Sequence, residues 1–143
     1  MKVLVCGGRY FHNVPYIRKV LDAVHGQRPV TLLIHGAARG VDSLAGVWAK
    51  GKGIRVAEYP ADWKRFGPKA AGAIRNGRMM AEGQPDLVVA FPGGNGTRDM
   101  VHRAKLAGKP LLDCRETFDE LLLAEILEFD LTEETQHGNE TVS

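Results

Sequence analysis

Short, mainly apolar runs alternate along the chain with longer stretches in which apolar residues return every three or four positions. Lys2–Cys6, Val30–Ile34, Ile54–Tyr59, Leu87–Phe91 and Pro110–Asp113 are the short runs, each closed by glycine, proline or a polar residue. That pattern predicts buried strands. Between them, Ile17, Val20, Leu21 and Val24 recur at helical spacing, with Asn13 and Pro15 as start signals and Gly26 as the stop. Further helices are predicted from Val41 to Lys50, from Pro68 to Glu82, from Thr97 to Ala107 and from Phe118 to Phe129. Ala61–Gly67 reads as a polar and aromatic loop, and Thr132–Ser143 as a polar, disordered tail.

Strands separated by helices of this length predict a parallel sheet, because a parallel neighbour needs a long crossover. The expected fold is α/β: a single Rossmann-like domain over 1–131, a parallel sheet of about five strands with helices on both faces. The 143 residues leave room for one domain of ordinary size, and no internal repeat is present. In such sheets ligands lie beyond the carboxyl ends of the strands. The strand ends are therefore the first place to look for chemistry.

Composition narrows the class without naming a function. Apolar residues are 44% and charged residues 25%, ordinary values for a folded globular chain. No run approaches the ~18 apolar residues of a membrane helix. The apolar N-terminal stretch is broken by Gly7-Gly8 too early for a secretion signal, so a cytoplasmic protein with no membrane partner is expected. Cys6 and Cys114 are too few for a disulfide framework or a cysteine-rich zinc site, and each closes an apolar run as a small core residue does. Charge is uneven: residues 1–115 carry 19 Lys and Arg against 8 Asp and Glu, whereas 116–143 carry 9 acids and no Lys or Arg. A basic body points to an anionic partner, unless the acidic segment simply docks on it.

Three of the strand ends are glycine-rich: Gly7-Gly8-Arg9, then His35-Gly36-Ala37-Ala38-Arg39-Gly40, then Pro92-Gly93-Gly94-Asn95-Gly96-Thr97. Glycine lets backbone N–H groups approach a ligand, and a helix N-terminus presents unpaired donors, so loops of this kind favour phosphate. Known fingerprints do not fit. No Gly-x-x-x-x-Gly-Lys-Ser/Thr loop occurs, the first strand lacks Gly-x-Gly-x-x-Gly, and Asp99 stands where the third glycine of Gly94-Asn95-Gly96 should be. The five histidines are scattered, so neither a metal nor a cofactor is expected. His35 stands as a pocket residue or as an imidazole that orders its loop. Trp63, after Pro60-Ala61-Asp62, is either a stacking surface for a base or a lid residue on the sheet edge. Arg75 and Arg78 share a helix face that is either functional or merely solvated.

Pro92-Gly93-Gly94-Asn95-Gly96-Thr97 resembles the PGGxGT loop of the SLOG superfamily, which includes the Lonely Guy (LOG) phosphoribohydrolases and DprA. Cys6-Gly7-Gly8-Arg9, His35–Asp42, Pro60–Trp63 and Ala71-Gly72-x-x-Arg75-Asn76-x-x-Met79 are similar to its YspA/YpsA-related branch. The resemblance spans about residues 2–113. It implies a Rossmann-like domain for a nucleotide-derived ligand. Gly93–Thr97 would cradle phosphate, Gly7–Arg9 and Gly36–Asp42 would line the pocket, and Arg75 would fall where LOG enzymes keep a catalytic arginine, with Asn76 beside it. One departure bears most on activity. LOG enzymes carry a glutamate at the last position of PGGxGTxxE, and here that residue is Met100, while Asp99 lies roughly 100° away around a helix. Methionine can neither steady an oxocarbenium-like sugar nor activate water.

The candidate ligand-binding set is therefore Gly7, Gly8, Arg9, His35, Gly36, Arg39, Gly40, Asp42, Asp62, Trp63, Arg75, Asn76, Pro92, Gly93, Gly94, Asn95, Gly96 and Thr97. Three roles follow from the resemblance and the charge. The preferred one is capture of a phosphorylated nucleotide-derived molecule, ADP-ribose, cyclic ADP-ribose or similar, by a sensor or sequestering protein. The second is LOG-like cleavage of a nucleotide N-glycosidic bond, with Asp42, Asp62 or Asp99 in place of the missing glutamate. The third, a DprA-like nucleic-acid binder, is disfavoured because aromatics are 7% and the basic residues are dispersed. A homo-oligomer is expected by resemblance.

Overall fold

The structure, a computed structural model, describes residues 1–128. Five parallel strands, β1 (Lys2–Cys6), β2 (Leu32–His35), β3 (Arg55–Glu58), β4 (Leu87–Ala90) and β5 (Leu111–Asp113), form one sheet in the order β3-β2-β1-β4-β5. They alternate with helices α1 (Val14–Gln27), α2 (Val41–Gly51), α3 (Trp63–Gly83) and α4 (Asn95–Leu106), and a fifth helix, α5, is formed at 120–128. This is the predicted Rossmann-like α/β domain. Among the described residues no helix is long and apolar enough to cross a membrane.

The central strands are apolar on both faces because both faces are covered. Val3, Val5, Leu33 and Val89 join the core beneath α1 and α2, together with Leu123 and Leu127 of α5. Their alternates Leu4, Cys6, Ile34, Val88 and Ala90 join the core beneath α3 and α4. Strand order reverses at β1: the chain builds outward through β2 and β3, then crosses to β4 on the other side of β1. Loops leaving β1 and β4 thus part to opposite faces and open a crevice at the carboxyl edge, where such sheets take ligands.

Element boundaries depart from the sequence expectation in four informative places. Gly26 lies inside α1, which ends at Gln27 because Arg28, before Pro29, is extended. Residues 63–66, expected as loop, form one helical turn capped by the Asp62 carboxylate, which accepts the Arg65 N–H. Gly67, at φ 78°, breaks that turn from the long part of α3, which Pro68 begins. α4 starts at Asn95 rather than Thr97, with Gly94 as its cap. α5 starts after Asp119, whose carboxylate accepts the N–H groups of Leu121 and Leu122. The predicted end of the last helix at Phe129 and the tail Thr132–Ser143 lie outside the described residues.

Candidate functional site

Two glycine loops touch backbone to backbone at the point where strand order reverses. The Gly8 N–H donates to the Pro92 carbonyl at 2.8 Å. A Cβ on Gly8 would stand 3.0 Å from both the Gly93 Cα and the Pro92 oxygen, and one on Gly93 would collide with the Thr97 hydroxyl. The third loop is tied to the first: Gly40, at φ 74°, lies against the Gly8 and Arg9 carbonyls, and the Val41 N–H donates to Gly8 O at 3.2 Å. Only glycine permits that φ and that approach.

Gly94 and Gly96 are different. Among the described residues neither has anything within 4 Å of an added Cβ, so packing there does not demand glycine. Gly96 lies in the first turn of α4, where glycine costs about 1 kcal/mol relative to alanine. No side chain caps α4, and residues Gly93–Gly96 are exposed. The result is a bare helix N-terminus with open N–H donors, suited to an anion. Its orientation is fixed from below. Asn76 Nδ2 donates to the Gly96 carbonyl at 3.1 Å and to Asp99 Oδ2 at 3.0 Å, and Arg103 Nε donates to the same Asp99 oxygen at 2.8 Å.

In front of these loops lies a cleft of about 850 Å³. Its cationic wall is Arg75, whose Nε donates to Asn76 Oδ1 at 2.9 Å and whose Nη1 donates to the Gly36 carbonyl at 2.5 Å. Burial works against the Arg75 charge and the carboxylate of Asp42 supports it. Asp42 itself is buried and accepts the Ala38 N–H at 3.2 Å. Burial raises its carboxyl to about 6, against the opposing pull of the Ala38 N–H and of Arg75. On the outer side the Arg9 guanidinium carbon sits over Trp63, 5.1 Å from the ring centroid, within cation–π range. Tyr10 and Lys69 stand at the same mouth.

Of the sequence candidates, Gly7, Gly8, Arg9, Asp42, Trp63, Arg75, Asn76 and Pro92–Thr97 line this cleft. Five do not. His35 is turned under α2: its Nδ1 accepts the Ala37 N–H at 2.9 Å, its Nε2 lies 3.7 Å from Glu58, and burial holds its pKa below the ordinary imidazole value. It orders the loop. Gly36 lies behind the cleft wall, where its carbonyl accepts from Arg75 and an added Cβ would collide with the Arg75 guanidinium, and Gly40 packs on the first loop. Arg39 is exposed and Asp62 is spent capping the turn at Trp63.

Several lining residues stand outside the candidate ligand-binding set. Tyr10 and Phe11 directly follow Gly7-Gly8-Arg9, and Lys69, Gly72 and Ala73 precede Arg75 on the same helix. Gly72 already stands in the Ala71–Met79 motif, three residues before Arg75 and so on its helix face. Met100 is fully buried beside Leu4, Val88 and Met79, so this position presents nothing to the cleft. Asp99 does reach the cleft, but paired with Arg103. Among the described residues no cluster of His, Cys, Asp or Glu is grouped to hold a metal ion.

Comparisons with known proteins agree with this architecture. The Gene 61 protein of Mycobacterium phage D29 is 35% identical over 120 residues, which span 78% of this chain and 94% of that protein. The X-ray structure of the structural-genomics target TM1055 matches with a TM-score of 0.59 at 23% identity, over 82% of this chain and 75% of that one. DNA processing protein A (DprA) from Streptococcus pneumoniae matches with a TM-score of 0.62 at 19% identity, over 92% of this chain but only 56% of its own. At such identities the two structures share the fold. Residues 1–66, which carry the first two glycine loops and Trp63, match a family model directly, and with the phage relative this establishes that the chain belongs to the YspA, cpYpsA-related SLOG family.

Proposed function

We propose that the cleft captures a phosphorylated, nucleotide-derived small molecule, such as ADP-ribose or cyclic ADP-ribose, and that the protein serves as its sensor or sequestering protein. Family membership supports a nucleotide-related or nucleic-acid-binding role. One observation carries the finer reading: Gly94 and Gly96 leave the α4 N-terminus bare although no described residue packs into that space. A phosphate there accepts from backbone N–H groups and gains from the helix dipole. Arg75 and Arg9 stand across the same cleft to neutralise it. The volume suits a nucleotide-sized ligand.

A second reading rests on Asp42. A buried carboxyl raised to about 6, facing the cleft beside Arg75, has the properties of a general base. In that role it would take a proton from water as the oxygen attacks the ribose C1′, and give it up to the base, which departs with the N-glycosidic electron pair. The products would be ribose 5-phosphate and free base.

Capture and release separates the two. The protein is incubated with AMP, ADP-ribose or cyclic ADP-ribose, freed of unbound ligand, and heated, and the released compound is weighed by mass spectrometry. Release of an intact compound is expected. Gly96→Leu, which fills open space with a good helix former, should keep or raise the thermal midpoint and lose capture. Free base and ribose 5-phosphate would establish the hydrolase instead. Undiminished capture by Gly96→Leu would place the ligand elsewhere.

A further inference from the structure

The outer half of the cleft is built unlike the glycine loops. Trp63 is 43% exposed and Tyr10 is 92% exposed, both at the mouth of the same cavity. Trp48, the other tryptophan, is buried and donates its indole N–H to Asp22. An indole left open in water at a cavity wall is an unspent stacking surface. It is already used in part, because the flat Arg9 guanidinium lies over it at 5.1 Å. Below it, α3 presents Gly72, whose added Cβ would make only ordinary contacts, 3.8 Å to Arg75 and 3.9 Å to Trp63. Glycine within a helix again keeps open a floor that packing does not require. The Asp62 cap and the break at Gly67 hold Trp63 on a single helical turn of its own, separate from the long part of α3.

We infer that this half of the cleft is a subsite for a planar aromatic ring, a nucleobase stacked on Trp63 in the place Arg9 covers. The inference rests on the phosphate reading of the Gly93–Thr97 loop and adds the second end of the ligand. The protein then recognises a nucleotide at both ends, phosphate on the α4 N-terminus and base on the indole. A sugar phosphate without a base fills only the first. Stacking tolerates any base, so this subsite sets class rather than sequence identity.

The test compares AMP with ribose 5-phosphate on the full chain by calorimetry, in the wild type, Trp63→Ala and Trp63→Phe. AMP is expected to bind about tenfold or more tighter than ribose 5-phosphate. Trp63→Ala should erase that preference while leaving ribose 5-phosphate affinity unchanged, and Trp63→Phe should keep most of it. Trp63 is exposed, and circular dichroism checks that both variants fold. AMP should also change tryptophan emission in the wild type and not in Trp63→Phe, because Trp48 is shielded. Equal affinity for the two ligands, or a preference that survives Trp63→Ala, overturns the base subsite and leaves the phosphate site standing. If neither compound binds the wild type, the base subsite falls, and capture of ADP-ribose or cyclic ADP-ribose decides the phosphate site separately.

Discussion

Asp42 shows how one buried carboxyl acquires a pH dependence that can be measured apart from any ligand. Its pKa is raised to about 6 by burial, above the unfolded value of 3.8. Between those values the folded chain holds a proton that the unfolded chain has released, so stability falls as pH rises from about 4 to about 6 and is level above. At about 1.4 kcal/mol per pKa unit the full change is on the order of 2–3 kcal/mol. His35 opposes it: burial lowers its pKa, so its contribution is present at neutral pH and is lost as pH falls below the unfolded value of 6.5. Subtraction isolates Asp42. Urea unfolding of the wild type and Asp42→Asn, repeated from pH 4 to pH 8, should show wild-type stability falling relative to the variant across the lower half of that range. Curves that stay parallel would mean an ordinary carboxyl, and the hydrolase reading would lose its base. Glycines at this scale divide by cause: Gly8, Gly40 and Gly93 are required by backbone contact, whereas Gly94 and Gly96 are not.

At the scale of the element, the strands and the glycine loops were legible because they rest on local pattern. Apolar runs give strands, and glycine before a helix gives an open N-terminus. What was not legible depends on parity or on a single cap. Which reading of His35 holds, cleft residue or loop-ordering imidazole, turns on such parity: Leu33 belongs to the α1–α2 core and Ile34 to the α3–α4 core, so His35 turns with Leu33 toward α2. It fits there because Gly46 of α2 makes room: an added Cβ would lie 2.9 Å from the imidazole Nε2. The Asp62 cap likewise converts a predicted loop into the turn that carries Trp63, since its carboxylate satisfies a helix donor that polar composition alone does not assign. Gly46→Ala should therefore destabilise the domain by about 1 kcal/mol or more, despite alanine's better helix propensity, because overpacking outweighs it. Adding His35→Ala should make Gly46→Ala nearly neutral or favourable. Denaturation midpoints decide it, and an additive pair would show that the ring and the helix do not press on each other. Ligand affinity should change little in Gly46→Ala, since neither residue lines the cleft.

Across the whole molecule, topology brings distant parts of the chain to one edge. Residues 1–115 carry 19 cationic side chains against 8 acidic ones, and the cleft joins elements from both sides of the sheet: the β1–α1 loop, α3 and the β4–α4 loop. A ligand seated there contacts parts of the chain that unfolding separates, so binding should stabilise the entire domain. At a ligand concentration 100 times Kd the gain is about 2.7 kcal/mol. For a domain of this size that corresponds to a rise in Tm on the order of 10 °C. On the proposed reading, the phosphate part of the gain would come from exposed and half-buried charges and be weakened by salt, whereas stacking on Trp63 would not. The Tm increment produced by a fixed ADP-ribose concentration should therefore shrink, but not vanish, between about 0.05 and 0.5 M salt. Ribose 5-phosphate should lose a larger fraction of its increment than ADP-ribose over the same range. Differential scanning fluorimetry at two salt concentrations suffices, and an ADP-ribose increment indifferent to salt would remove the arginines and the α4 N-terminus as the seat of recognition.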